Sequence, residues 1–385
     1  MSLITSKLYH DIKLINYINN LSELDKTQLT SNRKLIGVYY NKDDKEQNNL
    51  YKNVKNHYND IITIELSSKL EEFKLIICLD DTNFDLIEQC YNLNILIVSN
   101  YQSDKIETNF VNQYCIRYKT EKNILNIINI MNSTEQFAII IPVYNCEKYI
   151  EQTILSVLCQ TYRNYVIYII DDCSTDKSLE IVKKYSHLPN VVITSNDKNI
   201  GKFMSINKVL PNIKTQYYLI LDSDDIIIKN RLVYDMIEFT KYKSILVVSS
   251  KWYRYNETNN LSIRSPYFCP NNCTFRIDII NKIGLYWNTR FSGDAEYIDR
   301  FHKFIGKRYI IYVPFITCIA IHRTDNNNLT LQIPLGSKKR VDFHLLYKKY
   351  HNDVYNNLEE YNRNNIGINE IFNNEIFNNE INNLI

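Results

Sequence analysis

Apolar and polar positions along the first 132 residues alternate in two rhythms. The runs at 35–40, 61–66, 74–79 and 94–99 are short, rich in apolar residues and strand-like. Between them Phe84, Ile87 and Tyr91 fall at helical spacing, and Leu125, Ile128 and Met131 predict one more helix. Residues 1–132 are therefore expected to form an α/β domain. Its Asp80-Asp81 pair suits a helix cap better than a ligand site, and the Gly-x-Gly-x-x-Gly fingerprint of a dinucleotide site is absent.

After a polar joint at 131–136 the alternation restarts with stronger signals. Buried-type strands are expected at 137–141, 165–170, 191–194 and 217–221. Helical spacing fills 147–160 and 200–209, the latter with Phe203, Ile206 and Val209 inward, and Ser174 or Thr175 would cap a helix between them. Sequential β-α units of this length imply right-handed crossovers and a parallel sheet. A further strand is expected at 245–248 and a helix at 341–350 with Phe343, Leu346 and Tyr347 on one face. The segment 331–385 then reads as a helical, Asn-rich tail whose end repeats every five residues, a period that specifies no clean face.

Two of the strands run straight into acids, at Asp171/Asp172 and at Asp222/Asp224/Asp225. Parallel strands place their carboxyl ends on one edge, where open α/β sheets hold ligands. Like charges this close repel, and unpaired burial is expensive, so the group calls for a cation. Carboxylate oxygens suit Mg²⁺ or Mn²⁺, which commonly take substrate phosphates as further ligands. An acidic turn leading into a helix cap would also account for Asp222 to Asp225 taken alone.

Composition narrows the alternatives. The 385 residues are 45% hydrophobic and 23% charged with a net charge of +2, which leaves no basic surplus that would demand nucleic acid. The nine cysteines are odd in number, scattered and mostly within apolar segments, as expected of reduced, buried thiols. Cys269 and Cys273 have the spacing of half a zinc site, but no second pair follows. With neither a charged leader and apolar core nor an apolar run of ~20 residues, a soluble cytoplasmic protein without a transmembrane segment is expected.

Several short blocks then appear in a fixed order: Ile-Ile-Ile-Pro-Val-Tyr-Asn at 139–145, Val-Leu-Cys-Gln-Thr-Tyr at 157–162 and Asp-Asp-Cys-Ser-Thr-Asp at 171–176. Asn-Asp-Lys-Asn-Ile-Gly-Lys at 196–202 and Leu-Asp-Ser-Asp-Asp at 221–225 follow, and Thr274, Phe275, Arg276, Ile283 and Gly284 complete the series. From Phe137 to about residue 330 the chain resembles a family 2 glycosyltransferase of the GT-A fold. The resemblance implies a Rossmann-like, mostly parallel nucleotide-diphospho-sugar transferase domain at 135–330, preceded by the smaller α/β domain. It also implies a nucleotide-sugar donor, with a UDP-sugar as first choice, a divalent Mn²⁺ or Mg²⁺, and inversion at the anomeric carbon.

Carried over by position, Pro142 and Tyr144 match the loop lining the nucleotide pocket, Asp172 the acid that bonds the base, and Asp171 its support. Asp222, Ser223 and Asp224 match the Asp-x-Asp motif, with Asp222 near the ribose and Asp224 or Asp225 on the metal. A metal bridging the two phosphates would stabilise the charge that develops on the leaving diphosphate. Cys173 departs from the pattern, because glycine is commoner there.

Inversion needs a base opposite the leaving group. The resemblance places it in the stretch 291–300, with Asp294 first and Glu296 second, although acids in a helix's first turn also suit its macrodipole. His322 resembles a terminal histidine that acts as the last metal ligand or as a donor to the diphosphate. Trp252, Tyr253 and Tyr255 either stack on a sugar ring or pack internally. Two other readings are an inactive nucleotide-sugar-binding scaffold and a sugar nucleotidyltransferase. The second would need a Gly-rich loop where Pro-Val-Tyr-Asn stands at 142–145.

Overall fold

The computed structural model describes residues 35–39, 45–57, 61–63, 73–78, 96–99, 116–117, 121–256, 261–262, 267–323, 332–363 and 367–373. The expected helical spacing at Phe84 to Tyr91, the Asp80-Asp81 pair, most of the terminal repeats and the Tyr255 side chain lie outside these residues.

The first sheet holds β1 (Leu35–Tyr39), β2 (Ile61–Thr63), β3 (Phe73–Cys78), β4 (Leu96–Ser99) and β5 (Ile116–Arg117) in the order β2-β1-β3-β4-β5, every pair parallel. Helix α1 (Lys45–His57) joins β1 to β2. Helix α2 (Glu121–Met131) buries Ile124, Ile127, Ile128 and Ile130, and one continuous apolar core runs through it into the second sheet.

The second sheet begins with β6 (Phe137–Val143), α3 (Ile150–Leu158), β7 (Tyr165–Asp171), α4 (Ser178–Lys183), β8 (Val191–Ser195), α5 (Lys202–Val209) and β9 (Tyr217–Ile220). Every residue of β6 is buried, as its unbroken Phe-Ala-Ile-Ile-Ile-Pro-Val run demands. The chain winds outward from β6 through β7 to β8, then returns to place β9 on the other side of β6, all four parallel. That reversal makes a crevice at the carboxyl ends of β6 and β9. Pairing of β9 with β6 stops at Ile140, and Pro142, which has no N–H to offer, follows two residues later.

The remaining elements are β10 (Asp225–Ile227), α6 (Arg231–Lys241), β11 (Val247–Asn256), β12 (Leu261–Ser262), β13 (Tyr267–Arg276), α7 (Ile280–Ile283), α8 (Gly293–Phe304), β14 (Ile310–His322), α9 (Lys338–Asn356), α10 (Leu358–Arg363) and α11 (Ile368–Asn373). They complete the order β10-β14-β11-β13-β9-β6-β7-β8, with β13 antiparallel to β9 and β11 parallel to β14. Among the described residues no helix is long and apolar enough to cross a membrane.

Two expectations need adjustment. The helix after β7 starts at Ser178 rather than at Ser174 or Thr175, because Ser174 Oγ accepts the Asn145 N–H and the Asp176 carboxylate accepts the Ser178 N–H at 2.9 Å. The segment read as a tail folds back: α9 runs from Lys338 to Asn356, and Phe343, Tyr347 and Val354 join Trp287, Phe291, Ile371 and Phe372 in a separate apolar cluster. Tyr347 donates to Asp299 Oδ2 at 2.7 Å, which ties α9 to α8.

Candidate active site

A cavity of about 830 Å³ opens at the carboxyl ends of β6 and β9. Its lining brings together Pro142, Tyr144, Asp172, Asp222, Ser223, Asp224, Asp225 and Asp294 from the expected set. Asp171, Glu296 and His322 do not line it.

The loop carrying the acids is held from below by α3. Thr153 Oγ donates to the Ser223 carbonyl at 2.9 Å, and the Cys146 thiol points at the same oxygen at 3.2 Å. Gln160 donates to the Ile228 carbonyl at 2.7 Å and accepts from the Leu232 N–H at 3.2 Å, so it clamps both sides of the chain after β10. Thr153 within α3 and Gln160 just past its end are polar yet buried because each satisfies backbone groups, Thr153 in the acidic loop and Gln160 in the chain that follows β10.

Within that loop the three aspartates stand differently. Asp222 forms an ion pair with Lys202 and accepts from Asn271 Nδ2 at 3.0 Å. Asp224 lies 3.5 Å from Arg323 Nη1, and its carboxyl is pushed up to about 6 by burial and then by the charge of Asp222. Asp225 is buried in β10 opposite Ala320, and burial, with Asp224 and Asp222 adding to it, holds its carboxyl well above the usual range.

Asp172 is 2% exposed, and its carboxylate accepts Asn196 Nδ2 and the Ile200 N–H, both at 2.9 Å, and the Gly201 N–H at 2.7 Å. It therefore shapes the loop 196–201 and keeps about one lone-pair position for a ligand. Gly201 has φ +92, and a Cβ there would sit 3.1 Å from the Arg290 side chain, so both conformation and space select glycine. Asp171 lies one layer deeper: Oδ2 accepts the Ser174 N–H at 3.2 Å, and Oδ1 is buried without a partner among the described residues.

Helix α8 presents Asp294 at its first turn. Ser292 precedes it at φ 55, and a Cβ on Gly293 would come within 2.7 Å of the Phe203 ring, so the helix start is pressed directly onto α5. Two residues on, Glu296 is fully buried and turned the other way. Its carboxylate receives Arg300 Nε at 2.9 Å and Nη2 at 2.7 Å, and His351 Nε2 of α9 lies 2.9 Å away. The expectation that left Asp294 and Glu296 as alternative bases thus meets a plain difference in position: one faces the cavity and the other forms a buried ion pair.

His322 stands 3.3 Å from an Arg254 nitrogen, whereas its neighbour Arg323 reaches the cavity, donating to the Asn145 carbonyl at 3.1 Å as well as facing Asp224. Trp252 lines the cavity edge-on to Tyr267, and its indole N–H is buried without an acceptor among the described residues. Tyr253 instead packs into the core. Lys202, Asn271, Arg254, Arg290 and Arg340 also line the site, and sequence reasoning assigned them no role. Only Lys202 and Arg323 carried a signal, being the last residue of one motif and the immediate neighbour of another.

Residues 138–310 match the family model described as Glycosyl transferase family 2. GlyA, a glycosyltransferase of Streptococcus pneumoniae, is 30% identical over 127 residues, which is 33% of this chain and 18% of that protein. GlyG, a glycosyltransferase of the same organism, is 28% identical over 186 residues, or 47% of this chain and 60% of that protein. The chain thus spans between 18% and 60% of the length of these relatives. The crystal structure of Staphylococcus aureus TarS 1–349 in complex with UDP-GlcNAc aligns with a TM-score of 0.43 at 22% identity, over 50% of this chain and 60% of that one.

Proposed function

We propose that this chain, whose residues 138–310 form a family 2 glycosyltransferase domain, moves a sugar from a nucleotide-sugar donor, with UDP as the carrier, to an acceptor hydroxyl with inversion. One observation carries the reading: Asp294 and the cluster Asp222 to Asp225 come from distant parts of the chain to line a single cavity. Its volume lies in the range of small-molecule sites, roughly 300–1,000 Å³.

In this reading Pro142 and Tyr144 flank the nucleotide, and Asp172 offers its remaining lone pair to an N–H of the base. Asp222 and Asp224 fit Mn²⁺ or Mg²⁺, since their mutual repulsion, which helps raise the Asp224 carboxyl, is relieved by a hard cation. Among the described residues no three His, Cys, Asp or Glu side chains form a ligand group by themselves, so diphosphate oxygens would complete the shell. Such an ion would supply charge stabilisation for the leaving group. Arg323, beside Asp224, adds a fixed positive charge for the same diphosphate.

Asp294 takes the proton of the acceptor hydroxyl as that oxygen bonds to the anomeric carbon, and the bond from that carbon to the diphosphate oxygen breaks. Glu296, held by Arg300, positions α8 and takes no proton. The test is transfer and donor hydrolysis screened over several nucleotide sugars with and without Mn²⁺. Transfer of the released sugar to an acceptor supports the reading. Tight binding of UDP with neither hydrolysis nor transfer would instead favour a binding protein.

A further inference from the structure

Five cations and five carboxylates line the cavity, but they are not matched one to one. Lys202 pairs with Asp222 and Arg323 with Asp224. Arg290 and Arg340, by contrast, make only neutral contacts among the described residues. Arg290 donates to the Asn199 side-chain oxygen and, at 3.3 Å, to its carbonyl. Arg340, brought in by α9, donates through Nε to the Ile333 carbonyl at 2.8 Å and through Nη1 to Ser292 Oγ at 2.9 Å. Neutral acceptors orient a guanidinium but leave its charge in place. Burial is what chiefly lowers the Arg340 pKa, the Asp294 carboxylate across the cavity works against it without bonding to it, and Arg254 adds a like charge.

Both arginines line the cavity beside one short stretch, Arg340 by bonding Ser292 and Arg290 from within the stretch itself, its guanidinium set against Asn199. Arg290 precedes Ser292 by two residues, Arg340 bonds Ser292 itself, and Asp294 follows by two. Planar guanidinium groups at a partly dry site are the usual partners of carboxylate and phosphate oxygens.

The geometry points to an oxyanion subsite formed by Arg290 and Arg340 around Ser292, which holds a phosphate or carboxylate carried by one of the two sugar substrates beside the hydroxyl that Asp294 deprotonates. The inference deepens the glycosyltransferase reading and rests on it for the identity of the carrier, while the anion itself is read from the arginines. Two carriers share this chemistry, the acceptor and the transferred sugar.

The experiment uses the full chain and two pairs of probes. Glycerol 3-phosphate and glycerol are titrated into protein with and without UDP and Mn²⁺, and UDP-glucuronate is compared with UDP-glucose, all by calorimetry or ligand-observed NMR. About a tenfold preference for the anionic member of one pair is expected, equivalent to about 1.4 kcal/mol. Preference for glycerol 3-phosphate assigns the anion to the acceptor, and preference for UDP-glucuronate assigns it to the transferred sugar.

Arg340→Gln and Arg290→Gln should each remove the preference while UDP affinity stays within about twofold. Arg290 is exposed, so its variant keeps the test valid if Arg340→Gln is poorly folded. The inference is overturned if neither anion is preferred, if the preference survives in the double variant, or if UDP affinity falls in step, which would make these arginines diphosphate ligands. Failure of the wild-type protein to bind UDP would count against the glycosyltransferase reading alone, since glycerol 3-phosphate titrated into nucleotide-free protein still reads the subsite.

Discussion

Arg300 grips Glu296 through two bonds, Nε to Oε1 at 2.9 Å and Nη2 to Oε2 at 2.7 Å, with both side chains fully buried. The same guanidinium donates to the Ile283 and Leu285 carbonyls, and its face lies 4.7 Å from the Phe372 ring of α11. Removing one partner of such a pair leaves the other charge buried and alone, which costs about 3–5 kcal/mol. Glu296→Ala is therefore expected to lower the midpoint of urea unfolding markedly. The folded fraction should keep its turnover within about twofold, because general-base losses run to about 10²–10⁴. A turnover collapse in fully folded Glu296→Ala would return the base to Glu296.

Asp294→Asn should behave in the opposite way. It faces the cavity at the first turn of α8, so melting should hardly change and UDP binding by calorimetry should persist. Turnover should fall by about 10²–10⁴, the usual worth of a positioned acid or base. Loss of nucleotide binding instead would make Asp294 structural.

Chelation tests the acidic loop. Activity is expected to vanish in EDTA and return with Mn²⁺ or Mg²⁺, and Asp224→Asn should largely remove it at any metal concentration. Full activity in EDTA would mean that Lys202 and Arg323, the cations already seated beside Asp222 and Asp224, suffice for the diphosphate.

At the end of β14 the relevant comparison is between neighbours. Arg323→Gln is expected to weaken UDP binding by about tenfold or more, as the loss of one charge-assisted contact would. His322→Ala, whose ring stands by Arg254 and does not line the cavity, should change UDP affinity less than threefold by the same scale. The reverse order would restore the histidine to the site.

Cys173 sits at φ 63, in the left-handed region where glycine has no steric penalty. The residue's left-handed strain is about 1–2 kcal/mol, while glycine costs about 0.5–1 kcal/mol through the freedom of the unfolded chain. Cys173→Gly should thus stabilise the protein by roughly 0.5–1 kcal/mol in thermal or urea melts. A destabilised variant would show that the weak contact from Sγ to the Asp197 carbonyl at 3.6 Å matters more than the backbone.

Local pattern alone determined a good deal about this protein. Unbroken apolar runs such as 137–141, short and bounded by turn residues, read as strands covered on both faces, and strands that end in Asp171 and Asp222 deliver those acids to one edge when they run parallel. The order of motifs along 139–225 also carried the resemblance to a family 2 glycosyltransferase, whose family model matches residues 138–310. What the tertiary structure decided were directions. Asp294 and Glu296 are two residues apart on one helix, which turns about 100° per residue, so they must face different surroundings. Only the return of α9 shows that Glu296 meets His351 and Asp294 the cavity. Arg290 and Arg340 lie 50 positions apart and share no motif, so their presence in one cavity, with Arg340 bonded to Ser292, exists only in the folded chain. Tyr217 to Asp225 was legible as an acidic strand end, but its ion pairs with Lys202 and Arg323 join residues that periodicity cannot connect.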